Sequence, residues 1–477
     1  MPVSPAPRPE SDAPPPGTGS RPDGGPRSAR PAVGAELELS IDSLAHGGAG
    51  VARHDGYVLF VPGAVPGDRV LARVVKRKRS YAQARVQRLL EPAAERVPEQ
   101  AHHPGVPWQV LPYERQLAVK EDQVRDALRR LGGLSGDAVE AIVPARQQWR
   151  YRNKLEYSFG TDHTGRLVCG FHEPGRWDRV VAVDDCLLAS AAGNAARELV
   201  LGWAREAGLT AHDRRTGEGI LRHLVVREGR RTGALQVRLV TTPARLELDE
   251  LALALGDASL LWTRTEARAE ITSGGATELI RGSARLPERL LELELGISPE
   301  AFFQTNTEMA ETLYETAREF AALEGWERAF DLYCGIGTIG LSLAPRLGEL
   351  WGLEVVPDAV RDAQENAERN QISNARFEVA DVRLALRELT EQAGRPDLVV
   401  VDPPRAGLSA KVVRRIVECA ARRIVYVSCN PTTLAPNAAQ IVEAGWSLRR
   451  VRPVDMFPQT PHIECVALLE RWAAGGG

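Results

Sequence analysis

The stretch that decides the fold of the C-terminal part is Arg423-Ile-Val-Tyr-Val-Ser-Cys-Asn-Pro431. The mostly apolar run 423–427 is typical of a strand buried on both faces of a parallel sheet. Cys429 stands just past the end of this strand. Most free cysteines are small buried core residues, and four others of this chain are interpreted in that way: Cys169, Cys334, Cys419 and Cys465. The position of Cys429 instead makes it a candidate nucleophile.

Strands and helices alternate around this stretch, from about residue 300 to 472, which predicts a Rossmann-like α/β unit with a doubly wound parallel sheet. Strands are predicted at 328–332, 350–354, 376–379, 397–401, 423–427 and 463–469. In the last of these runs, Pro461-His-Ile-Glu464 leads into the apolar residues 465–469. Because clefts lie outside the carboxyl ends of strands in such sheets, we expect Cys429 and Glu464 at the carboxyl ends of two strands, as nucleophile and general base.

A glycine-containing turn, Asp331-Leu-Tyr-Cys-Gly-Ile-Gly337, closes the first predicted strand. Glycines there let the backbone approach a ligand closely. Glu354 ends the next strand, about twenty residues further on, where a carboxylate suits ribose hydroxyls. The pair predicts a cofactor that contains a nucleoside. NAD is the alternative, although no hydride-handling residues are evident and a nucleophile–base pair is.

Asp402-Pro-Pro-Arg405 follows the fourth predicted strand. The two prolines fix a rigid turn and remove backbone donors, so this loop can hold Asp402 toward the cleft; a purely structural strand end is the alternative. An aromatic residue after Asp-Pro-Pro would have indicated methylation of an amino group on a base. Arg405 argues against that class.

The rest of the chain divides into three segments. Residues 1–33 contain almost no large apolar residue and predict a disordered tail. Short alternating runs with glycine-rich turns predict an OB-like five-stranded β-barrel over 34–91, with the basic run Lys76-Arg-Lys-Arg79 on an RNA-facing edge. Mixed strands and helices predict a central α+β RNA-binding domain over 98–295.

Composition narrows the class of protein. The 477 residues are 43% hydrophobic and 26% charged, with a net charge of −3, as in ordinary globular proteins of two or three domains. No apolar run approaches the roughly 18–20 residues of a membrane span. The six cysteines form no paired framework, so we expect a reducing, cytoplasmic location and no membrane partner.

Five motifs together resemble the class I RNA 5-methyluridine methyltransferases, the family of the tRNA T-loop enzyme and its ribosomal RNA relatives. The motifs are Phe302-Phe-Gln-Thr-Asn306, Asp331–Gly337, Asp402-Pro-Pro-Arg-Ala-Gly-Leu408, Tyr426-Val-Ser-Cys-Asn-Pro431 and Phe457-Pro-Gln-Thr-Pro-His-Ile-Glu464. Residues 34–91 resemble the TRAM domain through Ser43–Gly50, Val61-Pro-Gly63 and Pro66-Gly-Asp68. The resemblance implies a class I methyltransferase domain over 300–472.

The resemblance also implies a role for individual residues. Contacts with S-adenosylmethionine fall to Gln304, Tyr333, Glu354 and Asp402, with Glu354 on the ribose; Asp381 would border the adenine. Cys429 would attack C6 of a uracil ring, which activates C5 for methylation, and Glu464 would then remove the C5 proton. The target base must be flipped out of its stack to react. Cytosine enzymes of RNA need a cysteine in the Asp402 motif, where this chain has proline.

One departure concerns metals. Many ribosomal RNA members carry an iron–sulfur cluster ahead of a segment seen here as Gln109–Leu117, but the preceding residues 100–108 contain no cysteine. Only Cys186 matches a ligand position, and one thiolate cannot hold a cluster that needs about four. We therefore expect no iron–sulfur cluster and assign no metal ligands. We interpret His102 and His103 as part of a solvated loop, with metal binding by them as the alternative.

The substrate is less determined than the reaction. A TRAM-like barrel is commoner among the ribosomal enzymes, whereas the lack of cluster cysteines is shared with the tRNA enzyme; 23S ribosomal RNA is favoured and tRNA is the alternative. Two other functions stay open. One is an RNA-binding or remodelling protein with a methyltransferase fold but no need for catalysis. The other is a methyltransferase for a base nitrogen or a small molecule, which would leave the barrel unexplained.

Overall fold

The N-terminal unit is a small closed barrel. The computed structural model describes residues 30–267 and 269–472, the side chain of Trp177 excepted, so residues 1–29 of the predicted tail lie outside the described residues. The barrel strands are β1 (Glu36–Leu44), β2 (Gly50–His54), β3 (Tyr57–Val61), β4 (Arg69–Arg77) and β5 (Tyr81–Glu91). They close in the order β1-β2-β3-β5-β4, which confirms the OB-like barrel.

The central unit is a seven-stranded sheet with helices on one side. Its strands are β6 (Lys154–Thr161), β7 (Leu167–Glu173), β8 (Arg176–Ala182), β9 (Leu221–Glu228), β10 (Leu235–Thr241), β11 (Ser259–Arg264) and β12 (Ala276–Arg281). The order across the sheet is β12-β11-β10-β9-β6-β7-β8. Helices α2 (Ala191–Glu206) and α3 (Asp249–Ala254) cover its apolar face.

The C-terminal unit is a second seven-stranded sheet, preceded by the hairpin β13 (Leu286–Leu290) and β14 (Leu293–Ile297). Its strands are β15 (Arg328–Leu332), β16 (Glu349–Glu354), β17 (Ala375–Val379), β18 (Leu398–Val401), β19 (Arg423–Ser428), β20 (Trp446–Val454) and β21 (Glu464–Arg471). The order is β17-β16-β15-β18-β19-β21-β20, and β21 runs opposite to the other six strands. The strand order reverses between β15 and β18, the place where ligands bind in open α/β sheets.

Helices cover both faces of this sheet and make it a three-layer unit. On one face lie α4 (Thr307–Ala321), α5 (Thr338–Leu343) and α6 (Pro357–Arg369). On the other lie α7 (Val382–Ala393), α8 (Ala410–Cys419) and α9 (Pro431–Glu443), joined by α1 (Tyr113–Gly132). Although α1 lies inside the predicted central range 98–295 and the β13–β14 hairpin begins inside it, both pack with the C-terminal sheet. The boundaries of that range stay a prediction.

Two features of the sheet differ from the sequence-based expectation. Strand β20 was absent from the predicted set, because its pattern is interrupted by a register shift between Leu448 and Arg450 and by Pro453. Such breaks are typical of edge strands. Moreover, Glu464 does not lie at a carboxyl end. It is the first residue of β21, and since that strand is antiparallel, its amino end meets the carboxyl end of β19 at one edge of the sheet.

Candidate active site

Strand register places Cys429 beside Glu464. The β19–β21 ladder pairs Ser428 with Cys465, so the next residues outward, Cys429 and Glu464, lie side by side; opposed residues in antiparallel pairs have Cα atoms about 5 Å apart. Glu464 is 4% exposed. Cys429 is half-buried, whereas the other five cysteines are buried. A thiol open to the cleft therefore stands next to a buried carboxyl.

Side-chain hydrogen bonds fix the loop that carries Cys429 against the Asp402 loop. Asn430 caps α9 by accepting from the Thr432 amide at 3.1 Å and donates its Nδ2 to the Arg405 carbonyl at 3.1 Å. The buried side chain of Asn437 adds two hydrogen bonds: its Oδ1 accepts from the Leu408 backbone N–H at 2.9 Å, and its Nδ2 donates to the Leu408 carbonyl at 3.0 Å. The two loops thus form one rigid floor, and Asp402 faces the same cleft as Cys429.

The carboxyls of this cleft disfavour one another's charge. Burial and the neighbouring carboxyl of Asp331 raise the pKa of Asp402 to about 7. Burial and Asp402 raise the pKa of Glu464 well above its ordinary value, against the opposing effect of Arg405. Burial, then Glu464 and Asp402, raise the pKa of the Cys429 thiol to about 11. Groups that sense one another in this way share one low-dielectric cleft, which is typical of functional sites.

The glycine turn after β15 forms an open cradle next to this cleft. Tyr333 and Gly335 both adopt positive φ, +64° and +54°, and a Cβ added to Gly335 would meet no atom within 4 Å. Glu354 binds the cradle from the neighbouring strand: its carboxylate accepts from the Gly335 amide at 3.2 Å and from Val355 at 2.7 Å. The turn, Tyr333 and Glu354 therefore lie together, and their role as a cofactor site stays a prediction.

Asp331 supports the cradle from below. It is 1% exposed, and its Oδ2 accepts from the Gly340 amide at 2.9 Å, while its buried Oδ1 has no partner among the described residues. Burial raises its pKa to about 7, and Glu354 contributes. Asp381, at the start of α7, is held by Arg383 at 2.5 Å.

Gln304 lies at the junction with the central unit, and its role in the site stays a prediction. The residue is 5% exposed, and its backbone carbonyl accepts from the Asn153 side chain at 2.8 Å. Two positions earlier, Phe302 is 68% exposed. This exposed aromatic ring opens the motif Phe302-Phe-Gln-Thr-Asn306 quoted above.

The profile of the family described as tRNA (Uracil-5-)-methyltransferase matches residues 292–472, and that of the TRAM domain matches 31–87. An uncharacterized RNA methyltransferase of Halalkalibacterium halodurans is 36% identical over 444 residues, which are 91% of this chain and 96% of that protein. This chain belongs to the RNA uracil-5-methyltransferase family. Another uncharacterized RNA methyltransferase, from Caldanaerobacter subterraneus subsp. tengcongensis, is 36% identical over 92% of this chain and 100% of its own length.

A solved structure extends the likeness to the whole architecture. The tRNA (uracil-54, C5)-methyltransferase of Pyrococcus abyssi, in complex with S-adenosyl-L-homocysteine, superimposes with a TM-score of 0.74 at 29% identity, covering 91% of this chain and 100% of that one. The C-terminal unit therefore has the class I methyltransferase fold. The cofactor of this RNA uracil-5-methyltransferase is S-adenosylmethionine, which removes the NAD alternative.

One further set of functional candidates was missed by the sequence analysis. Tyr113, Gln116 and Lys120 of α1 all contact the loop between β20 and Glu464. Their spacing of three and four places them on one helix face. Polar residues at buried helix positions were the available signal, since Gln116 and Lys120 are both 0% exposed.

The segment 100–108, which contains no cysteine, includes a buried histidine. His103 is 4% exposed and its Nε2 lies 3.2 Å from the Cys186 sulfur, while its Nδ1 accepts from the Gly105 amide at 3.0 Å. Its interpretation as part of a solvated loop was wrong, because the ring packs against Phe171 at 5.2 Å between centroids. Across residues 30–267 and 269–472, no three side chains of metal-ligating type come together as a site.

Proposed function

We propose that this RNA uracil-5-methyltransferase methylates C5 of one uridine through a covalent bond between Cys429 and C6 of the ring. The observation that carries the proposal is the register that sets Cys429 beside Glu464, with the thiol half-exposed and the carboxyl buried. A nucleophile and a base side by side can act on adjacent atoms of one small ring. A methyltransferase that acts on a nitrogen atom needs no such cysteine.

The residues present fit the cofactor. Gly335 leaves the open space that a ligand would fill, and the exposed Val355 and Val379 offer apolar surface next to Glu354 and Asp381. S-adenosylmethionine supplies a methyl group on a positively charged sulfur. The carboxyl of Asp402, whose pKa is raised by burial and by the neighbouring carboxyl of Asp331, suits that charge. We propose that Gln304, Tyr333, Glu354 and Asp402 hold the cofactor, and that Asp381 borders its adenine.

The chemistry of the chain's own residues then follows in three steps. The Cys429 thiolate adds to C6, and the electron pair of the C5–C6 double bond moves into the ring carbonyl as an enolate. C5 of the enolate takes the methyl group. Glu464 removes the C5 proton, the C–H pair rebuilds the C5–C6 double bond, and the C6–S pair returns to Cys429. A raised pKa makes Glu464 a stronger base than an ordinary carboxylate.

RNA contacts are proposed on two parts of the molecule. The end of β4 and the turn that follows it form an exposed basic segment next to Tyr81, made of Lys76, Arg77, Lys78 and Arg79. Such residues neutralise phosphates without reading sequence. Exposed Phe302 offers a face on which the flipped uracil can stack. In the described part of the chain no helix is both long and apolar enough to span a membrane; the cytoplasmic location stays a prediction.

For the RNA itself, 23S ribosomal RNA remains the first candidate, and the full-length likeness to a tRNA enzyme supports tRNA as the second. The test is methyl transfer from labelled S-adenosylmethionine to unmodified 23S RNA and to unmodified tRNA, followed by nucleoside mass spectrometry. We expect 5-methyluridine at one position of one RNA. Label recovered in a methylated nitrogen, or in cytidine, would overturn the proposal.

A further inference from the structure

A buried ion pair joins α1 to the loop that leads into Glu464. We name residues 455–463 the base loop, because they connect β20 to Glu464. Lys120 and Asp455 are both 0% exposed, with Nζ and Oδ1 2.6 Å apart, and the Tyr113 hydroxyl donates to the other Asp455 oxygen at 2.7 Å. Lys120 also donates to the Phe457 carbonyl at 3.0 Å. Buried pairs are costly to desolvate and are weak devices for stability, so their placement calls for another explanation.

A second tie holds the middle of the base loop. Nε2 of Gln116 donates to Oε1 of Gln459 at 2.7 Å. Oε1 of Gln116 accepts from the backbone N–H of Gln459 at 2.8 Å. Gln459 has a φ of +65°, a conformation that L-residues with side chains rarely adopt. Such backbone persists where the surroundings over-determine it, often next to functional sites. Two reciprocal hydrogen bonds from one helix side chain provide that constraint.

The base loop is flanked by two paired residues, Val454 before it and Glu464 after it. Across β20 and β21, Val454 pairs with Glu464, and Asp455 follows Val454 directly. Further bonds reach the loop from elsewhere: Asn306 donates to the Met456 carbonyl at 2.9 Å and Tyr151 to the Pro458 carbonyl at 3.0 Å. A shift of the loop would therefore displace the carboxyl of Glu464 relative to Cys429.

We propose that Gln116 and Lys120 are positioning residues for the removal of the C5 proton, an inference that rests on the proposed role of Glu464. They hold the base loop so that the Glu464 carboxylate faces C5 of the methylated ring. In that step the proton moves to Glu464, its bonding pair becomes the C5–C6 double bond, and the C6–S pair leaves with Cys429. Addition to C6 and methylation at C5 come earlier and do not need this placement.

The test separates early steps from the last one. Under single turnover with saturating natural RNA and labelled S-adenosylmethionine, the reaction is quenched in denaturant, and labelled RNA still bound to protein is compared with free labelled RNA. In Gln116→Met we expect methyl transfer to continue while release slows by up to about a hundredfold, because a misplacement near 1 Å can cost that much. Labelled covalent adduct should accumulate, as it should in Glu464→Gln.

The matched control is Gln123→Met, the same change on the same helix. Gln123 donates to the Leu44 carbonyl of the barrel at 3.1 Å, and within the described part of the chain no hydrogen bond joins its side chain to the base loop. Its adduct fraction should equal that of the wild type, even if RNA affinity changes.

A second variant keeps the test decisive if Gln116→Met folds poorly. Gln459→Gly accepts a positive φ without strain but removes the side-chain bond to Gln116, so it should fold and also accumulate adduct. Adduct formation and methyl transfer that fall together in both variants, with no excess of adduct, would overturn the inference. Absence of any adduct in the wild type and in Glu464→Gln, on 5-fluorouridine RNA, would instead overturn the proposed mechanism.

Discussion

The affinity for S-adenosylmethionine should rise with pH, because Asp402 must be ionised to meet its positive sulfur. With a pKa of about 7, Asp402 is roughly one-tenth ionised at pH 6.0 and roughly three-quarters ionised at pH 7.5. If only the ionised form attracts the cation, the dissociation constant should fall roughly eightfold over that interval. The sign follows from the raised pKa: the favourable charge is missing at low pH and gained as pH passes through 7.

Titration calorimetry at the two pH values measures this directly. S-adenosylhomocysteine is the matched ligand, since its sulfur is neutral and the rest of the molecule is the same; its affinity should change little. Asp402→Asn should abolish most of the pH dependence for S-adenosylmethionine, and should weaken its binding at pH 7.5 more than at pH 6.0. An equal pH dependence for both ligands, or an unchanged one in Asp402→Asn, would refute the reasoning.

Three further predictions concern the other parts of the site. RNA binding should weaken when alanine replaces the basic residues Lys76, Arg77, Lys78 and Arg79. The slope of log affinity against log salt, measured by filter binding, should fall by about 0.7–0.9 for each phosphate that is no longer neutralised. An unchanged slope would show that this basic segment of the barrel does not contact RNA. Phe302→Ala should cost about 1–3 kcal/mol in kcat/KM because the uracil no longer stacks on an aromatic ring, whereas Phe302→Trp should retain most activity; equal losses in both would contradict a stacking role. The rate of Cys429 alkylation by iodoacetamide should rise with pH, with a midpoint at about pH 11. Glu464→Gln should lower that midpoint because it removes the neighbouring negative charge. An unchanged midpoint would show that Glu464 does not act on the Cys429 thiol.

Local patterns were sufficient to predict the class of fold. The apolar run 423–427 and its counterparts predicted six strands of the C-terminal sheet, because strands buried on both faces leave a continuous apolar signal. The glycine turn and Glu354 predicted the cradle, since both lie on consecutive segments of one βαβ unit. The barrel was predicted from its turns, where glycine is required by backbone geometry.

Local sequence patterns could not predict strand direction or the contacts between distant segments of the chain. Glu464 lies beside Cys429 because β21 runs antiparallel to β19. The local sequence of residues 464–471 does not indicate the direction of that strand. Strand β20 was hidden by its bulge and by Pro453. The contacts of α1 with the base loop join residues more than 330 positions apart, as in the bond between Lys120 and Asp455. The sequence shows only that polar residues recur on one helix face.

The most direct measurement of the central claim is a covalent trap. The protein is mixed with 5-fluorouridine-substituted RNA and S-adenosylmethionine, denatured, digested and analysed by mass spectrometry. Fluorine at C5 cannot be removed as a proton, so the bond between Cys429 and C6 should persist. The account predicts a methylated fluorouridine attached to the Cys429 peptide, absent in Cys429→Ala. Normal methylation of natural RNA with no adduct on fluorinated RNA would contradict it.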